Sequence, residues 1–154
     1  MRDIRDIKAA VVGTGFIGVV HVEALRRLGI GVAGIVGSTA ERAAEKSKTA
    51  GLPAPYPSFD AMLADPAVEV VHLTTPNRLH FEQARAALAA GKHVVCEKPL
   101  GMDSTETAEL VRLAEQSGLV HAVNFNIRFY AQCQEARRRP PSPSRRRRSP
   151  PLLP

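Results

Sequence analysis

The sequence predicts an α/β protein, a doubly wound parallel sheet with helices on both faces. Three observations predict it. Short apolar runs alternate with helical patterns six times between Ile7 and Asn124. The first run enters a glycine-rich turn inside which a helical pattern begins. The polar and glycine clusters Gly13–Gly18, Gly37–Thr39, Thr75–Asn77, Glu97–Pro99 and Asn124–Arg128 all fall at the ends of runs. In a parallel sheet those ends share one edge, where ligands gather.

Ile7 to Val12 reads as a buried strand that passes into Gly13-Thr14-Gly15-Phe16-Ile17-Gly18. Gly13 allows the tight turn, Gly15 lets the backbone approach a pyrophosphate, and Gly18 lets the new helix pack close to the strand. A diphosphate there would sit on free N–H groups at the positive end of the helix dipole. An ordinary strand-to-helix turn is the plainer alternative. The context favours the Rossmann dinucleotide turn, because a helical pattern follows with Val20, Ala24, Leu25 and Leu28 on one face and Gly29 as its stop.

Gly31 to Val36 is a second strand, and Ser38 with Glu41 has capping-box spacing for a helix through Lys48. In a Rossmann domain an acidic residue near this strand end holds the ribose 2′-OH of NAD. Here the strand ends Val36-Gly37-Ser38-Thr39, with Arg42 one turn later. Small hydroxyl residues and an arginine leave room for a 2′-phosphate, so Ser38, Thr39 and Arg42 point slightly to NADP over NAD. Arg42 reads equally well as a solvated helix residue.

Gly51 to Pro57 is punctuated by prolines and carries a very short third strand around Tyr56. Ser58 caps a short helix with Phe59, Met62 and Leu63 inward, which ends before Asp65-Pro66. Val68 to Leu73 is the next strand, and a helix from Pro76 to Ala90, closed by Gly91, follows. His93 to Glu97 is the fifth strand. Asp103 or Ser104 caps a helix with Leu110, Val111, Leu113 and Ala114 apolar and Gly118 as its stop, and Leu119 to Asn124 is the sixth strand.

The chain of 154 residues, 44% hydrophobic, is long enough for one domain with a real core. It contains no apolar run long enough for a membrane span and no secretory h-region. Cys96 and Cys133 form no CxxC pair and no metal spacing, which fits a reducing cytoplasm. The net charge of +6 belongs to the C-terminal tail: residues 137–154 hold seven arginines and no acid, leaving fourteen basic against fifteen acidic residues before them. A near-neutral body argues against a nucleic-acid-binding face.

Taken together, Gly13-Thr14-Gly15-Phe16-Ile17-Gly18, Thr75-Pro76-Asn77 with His80, Glu97-Lys98-Pro99 and Asn124-Phe125-Asn126-Ile127-Arg128-Phe129 resemble the N-terminal domain of the glucose-fructose oxidoreductase / inositol dehydrogenase / MocA family. The resemblance covers residues 5 to 135. It implies NAD(P)-dependent hydride transfer on a sugar, polyol or related hydroxyl compound, with a small-molecule substrate and the dinucleotide as partners. It also implies that Glu97 binds cofactor ribose, that Pro76 and Asn77 lie along the nicotinamide, and that Lys98 is the catalytic residue. Thr75, His80, Pro99, Asn126 and Arg128 join the cofactor site on the same ground. A lysine beside a cationic nicotinamide and partly desolvated has its pKa lowered, which suits proton relay or polarisation of an oxygen. The plainer reading of Lys98 is an exposed lysine at a strand end. His72 and His93 lie within strands and read as core or edge residues, and His21 and His121 offer less.

In that family a second, sheet-rich domain follows. Here the composition changes after Glu135 to Arg137-Arg138-Arg139-Pro140-Pro141-Ser142-Pro143-Ser144 and a further arginine run, although Gln132 to Arg138 begins like a helix. The expected organisation is a cofactor domain over residues 1–135 and a disordered basic tail over 136–154. A frameshift in a GC-rich gene is favoured for the tail over a genuine basic segment able to bind polyanions. Without the second domain an apolar edge would be uncovered, which predicts self-association into homo-oligomers. The alternative to an oxidoreductase is a noncatalytic NAD(P)-binding module.

Overall fold

The computed structural model describes residues 3–139. They fall into two compact units, one ending at Asn124 and one beginning at Phe125. The first holds β1 (Lys8–Val12), α1 (Phe16–Arg27), β2 (Gly31–Val36), α2 (Ala40–Thr49), α3 (Phe59–Ala64), β3 (Val70–Leu73), α4 (His80–Ala89), β4 (His93–Glu97), α5 (Ser104–Ser117) and β5 (His121–Asn124). The strands form one parallel sheet in the order β2-β1-β3-β4-β5. This is the predicted Rossmann architecture.

The period-two alternation of β1 divides the core. Ala9 and Val11 pack with Val22 and Leu25 of α1 and with Ile35, all buried. Ala10 and Val12 face the other way, into a larger cluster with Met62, Leu73, Leu88 and Leu110. Apolar side chains on both faces of β1 are what a central parallel strand requires.

Four local expectations are corrected. The third strand around Tyr56 does not form. Its amide gives one hydrogen bond to the Ile35 carbonyl at 3.1 Å, beside β2. Pro53, Pro55 and Pro57 alternate with the residues on the β2 side, so they deny hydrogen bonds only on the outer edge, and the segment rests on β2 through that single bond. On α1, the buried residues are Gly18, His21, Val22 and Leu25, whereas Val20 and Leu28 are exposed. The buried stripe is thus rotated from the expected one, and it carries a histidine. The cap of α2 is Thr39, whose hydroxyl accepts from the Arg42 amide at 3.3 Å, not Ser38. The helix expected from Pro76 instead begins as a 3-10 turn, Asn77–Leu79, before α4.

Ser58 and Asp103 cap α3 and α5 as expected, each accepting a backbone amide through its side chain. Gly29, Gly91 and Gly118 follow their helices with positive φ, the left-handed conformation that ends a helix.

The second unit contains a 3-10 turn, Asn126–Phe129, and α6 (Ala131–Arg138). Within it the Arg128 guanidinium lies 5.8 Å from the centre of the Phe129 ring. The predicted Arg/Pro/Ser-rich tail lies outside the described residues from Pro140 onward.

Candidate functional site

The strand order reverses between β1 and β3, which makes their carboxyl ends the natural place for a ligand crevice. Two backbone hydrogen bonds brace it. The Gly13 amide donates to the Val36 carbonyl at 2.8 Å, and the Thr74 amide donates to the Val12 carbonyl at 2.9 Å. The Thr74 hydroxyl donates to the same Val12 oxygen at 2.8 Å.

The three glycines answer to different constraints. Gly13 has φ +118°, and a Cβ there would lie 2.6 Å from Thr74 Oγ1. At Gly18 a Cβ would meet the Gly13 carbonyl oxygen at 2.2 Å, so glycine is what lets α1 start this close to β1. Gly15 is the contrast: a Cβ there meets nothing within 4 Å. The fold itself does not require glycine at that point, and the space beside it is open. Gly15 is also the N-cap of α1, with no side-chain cap and no acidic residue in the first turn. The first amides of the helix therefore face that space unpaired by a side chain, with the positive end of the helix dipole behind them. That donor set fits a diphosphate.

A cleft of about 600 Å³ opens here, within the range of small-molecule sites. Of the residues singled out in the sequence, Gly13, Gly15, Phe16, Ile17, Ser38, Arg42, Thr75 and Pro76 line it. Phe16 is 81% exposed, an apolar ring at the mouth. Arg42 Nη1 donates to Ser38 Oγ at 3.4 Å, which draws both toward the end of β2.

Other singled-out residues stand elsewhere. Gly18 is buried beneath the turn, Thr39 caps α2, and Asn77 begins the 3-10 turn. His80 does not face the cleft. It is fully buried, with Nδ1 at 2.7 Å from the Pro99 carbonyl and Nε2 at 2.9 Å from the Thr75 carbonyl. It ties the loop after β3 to the loop after β4. Lys98 and Pro99 are exposed at the end of β4 and joined by a cis peptide bond. Asn126 and Arg128 belong to the second unit. Sequence reasoning missed Ser58, Phe59, Arg78, Leu79 and Gln83, which also line the cleft. The Thr75 hydroxyl donates to Gln83 Oε1 at 2.6 Å, a contact between loop and helix that no linear motif announces.

Glu97 is buried at the end of β4 and accepts from Asn124 Nδ2 at 2.6 Å, with His21 Nε2 at 3.0 Å from the same oxygen. Burial pushes its carboxyl up. The hydrogen bonds from Asn124 and His21, the His21 charge and the Lys98 amide outweigh that and hold it below the usual carboxylate range. His72 contacts His21 and is pushed down to about 4, chiefly by burial and then by His21. The Cys96 thiol is pushed up to about 12 by burial and the Glu97 charge, so it remains a buried, unreactive thiol at neutral pH. Among the described residues no cluster of His, Cys, Asp and Glu could hold a metal ion.

Residues 7–125 match an oxidoreductase family described as having an NAD-binding Rossmann fold. The chain is 37% identical over 107 residues to a 1,5-anhydro-D-fructose reductase of Ensifer adhaerens, a match that covers 70% of this chain and 32% of that one. It is 35% identical over 127 residues to a D-xylose 1-dehydrogenase (NADP(+)) of Haloferax volcanii, covering 82% and 39%. The solved structure of UDP-N-acetylglucosamine 3-dehydrogenase from Acidithiobacillus ferrooxidans superposes with a TM-score of 0.78 at 33% identity, covering 85% of this chain and 42% of that one. The chain thus spans about a third to two fifths of the length of these relatives, in the part that binds the dinucleotide.

Proposed function

The chain belongs to the oxidoreductase family with an NAD-binding Rossmann fold, and we propose that it is the dinucleotide-holding part of an enzyme acting on a sugar, polyol or related hydroxyl compound. The observation that carries this reading is the open space at Gly15, facing the uncapped N-terminus of α1. The nicotinamide, when bound, supplies the hydride chemistry. Gly13, Gly15, Phe16, Ile17 and Gly18 form the diphosphate cradle. Thr75, Pro76 and Asn77 flank the nicotinamide, and Glu97 accepts a ribose hydroxyl. Lys98, exposed at the end of β4, holds the proton exchanged with the substrate oxygen, and Pro99 shapes the loop that presents it. The carbohydrate names of the relatives support the substrate class.

The favoured cofactor is NADP. No acid stands at Val36-Gly37-Ser38-Thr39 to take a ribose 2′-OH, and Ser38 and Arg42 both line the cleft beside it. Titration of the chain with NADPH and NADH, for wild type and Arg42→Ala, tests this. Losing a charge-assisted hydrogen bond should weaken NADPH about tenfold and NADH less than about twofold. Equal losses for both cofactors would show that Arg42 does not read the 2′ position. The second reading is a binding module without turnover, in which the same cleft holds the dinucleotide. Cofactor oxidation against a panel of ketoses, or reduction against polyols, separates the two.

A further inference from the structure

One buried polar cluster surrounds Glu97 with residues that have no task so far. His21 of α1, His72 of β3, Glu97 of β4 and Asn124 of β5 meet on one face of the sheet. Glu97 and Asn124 are register partners and the last residues of their strands, and His72 stands one residue before the end of its own. The cluster therefore lies at the sheet edge where the glycine turn also lies. A buried carboxylate is costly to keep unless its acceptors are satisfied, and apolar side chains would fill this position at less cost.

The hydrogen count says how the cluster is wired. An ionised carboxylate only accepts. Asn124 Nδ2 donates to Glu97 Oε1 at 2.6 Å, and His21 Nε2 stands 3.0 Å from the same oxygen, so that nitrogen must carry a hydrogen. Asn124 Nδ2 and His21 Nε2, 3.3 Å apart, are then two donors converging on one acceptor. On the far side of the ring, His21 Nδ1 faces His72 Nδ1 at 2.9 Å, with the rings edge-on at 82°. One hydrogen lies between those two nitrogens. Whichever ring carries it, the contact fixes the plane of His21 and aims Nε2 at Glu97.

We propose that His21, braced by His72, is a positioning residue that fixes the Glu97 carboxylate for the ribose of the dinucleotide. This rests on the role given to Glu97 above. Asn124 completes the hold from β5. Two donors occupy Oε1 and fix the orientation of the group, and the carboxylate keeps acceptor capacity for a ligand hydroxyl.

Two measurements on the full chain test it. Ring-nitrogen NMR of the cofactor-free protein at neutral pH should find His21 protonated at Nε2, and an unprotonated Nε2 overturns the proposal. Titration with NADPH should then compare His21→Leu with His21→Gln, whose side-chain amide can donate where Nε2 does. Loss of one hydrogen bond to a charged group predicts about tenfold weaker binding for the leucine variant, with glutamine restoring affinity to within about threefold of wild type. Equal weakening in both variants overturns the positioning role. Should the leucine variant fail to fold, the wild-type nitrogen shifts still decide. A wild-type chain that binds no dinucleotide removes the functional reading itself, whereas an unprotonated Nε2 in a chain that binds removes only this proposal.

Discussion

Gly13 and Gly15 are two positions apart and answer to different forces. Gly13 is held at φ +118° with the Thr74 side chain and backbone where a Cβ would go, so Gly13→Ala should lower stability by about 2 kcal/mol or more. Gly15 sits at φ −72° with open space around it. Gly15→Ala should change the melting temperature little, because the entropy removed from the unfolded chain offsets a weaker N-cap on α1. Thermal melts of the two variants check the contrast, and equal destabilisation would mean that the turn is packed differently. His72 sets a second expectation. Its folded pKa of about 4 lies below the ordinary 6.5, so the unfolded chain binds a proton that the folded one refuses. Stability should be full above about pH 6.5 and fall toward pH 4, by at most about 3 kcal/mol from this group. Glu97, held below the usual carboxylate range, adds to the loss at the acid end. A melting temperature flat from pH 7 to about 4.5 would contradict a buried neutral His72. The glycines were legible in the sequence because their constraint is local and carries a fixed spacing. His21 was not. Its role depends on Glu97, 76 residues away, and on a rotation of the α1 stripe that the apolar residues alone misplace.

Elements behaved as their end signals said where a single residue decides the end. Ser58, Gly91 and Gly118 each mark a boundary that the structure keeps, and of the two candidates Asp103 and Ser104 it is Asp103 that caps α5. At α2 the spacing of Ser38 and Glu41 points to the wrong neighbour. Ser38 and Thr39 are both capping residues, and Thr39 holds the Arg42 amide. Thr39→Ala should therefore cost about 1 kcal/mol, and Ser38→Ala should cost only a few tenths of that. Chemical denaturation of the two variants measures the difference, and a larger loss at Ser38 would return the cap to that residue. The strand expected at Tyr56 is absent. Apolar and aromatic character favour a strand there, but the segment rests on β2 through the Tyr56 amide bond alone. Tyr56 instead anchors the connection by donating its hydroxyl to the Asp65 carboxylate. Lys92 shows what sequence pattern conceals altogether. A lysine beside a glycine reads as solvated, yet its ammonium is buried and donates to the Asp65 and Val68 carbonyls, both at 2.8 Å.

For the molecule as a whole, the parallel order β2-β1-β3-β4-β5 turns a set of separate turns into one site. It sets Gly13 beside Thr74, so the glycine turn and the Thr75-Pro76 loop share a cleft although about sixty residues of chain lie between them. That convergence was readable from the alternation of strands and helices, since a parallel sheet puts every strand end on one edge. The cleft's other wall, from Ser58 and Phe59 to Gln83, depends on helix placement and was not readable. Among the described residues no helix is long and apolar enough to cross a membrane. Calorimetric titration of the chain with NADPH, comparing wild type with Gly15→Trp, tests whether this cleft binds a dinucleotide at the α1 N-terminus. One saturable site is expected in the wild type, and its loss in a variant that melts at the same temperature, because the indole fills space the fold leaves open. Equal binding by both would place the diphosphate somewhere other than Gly15.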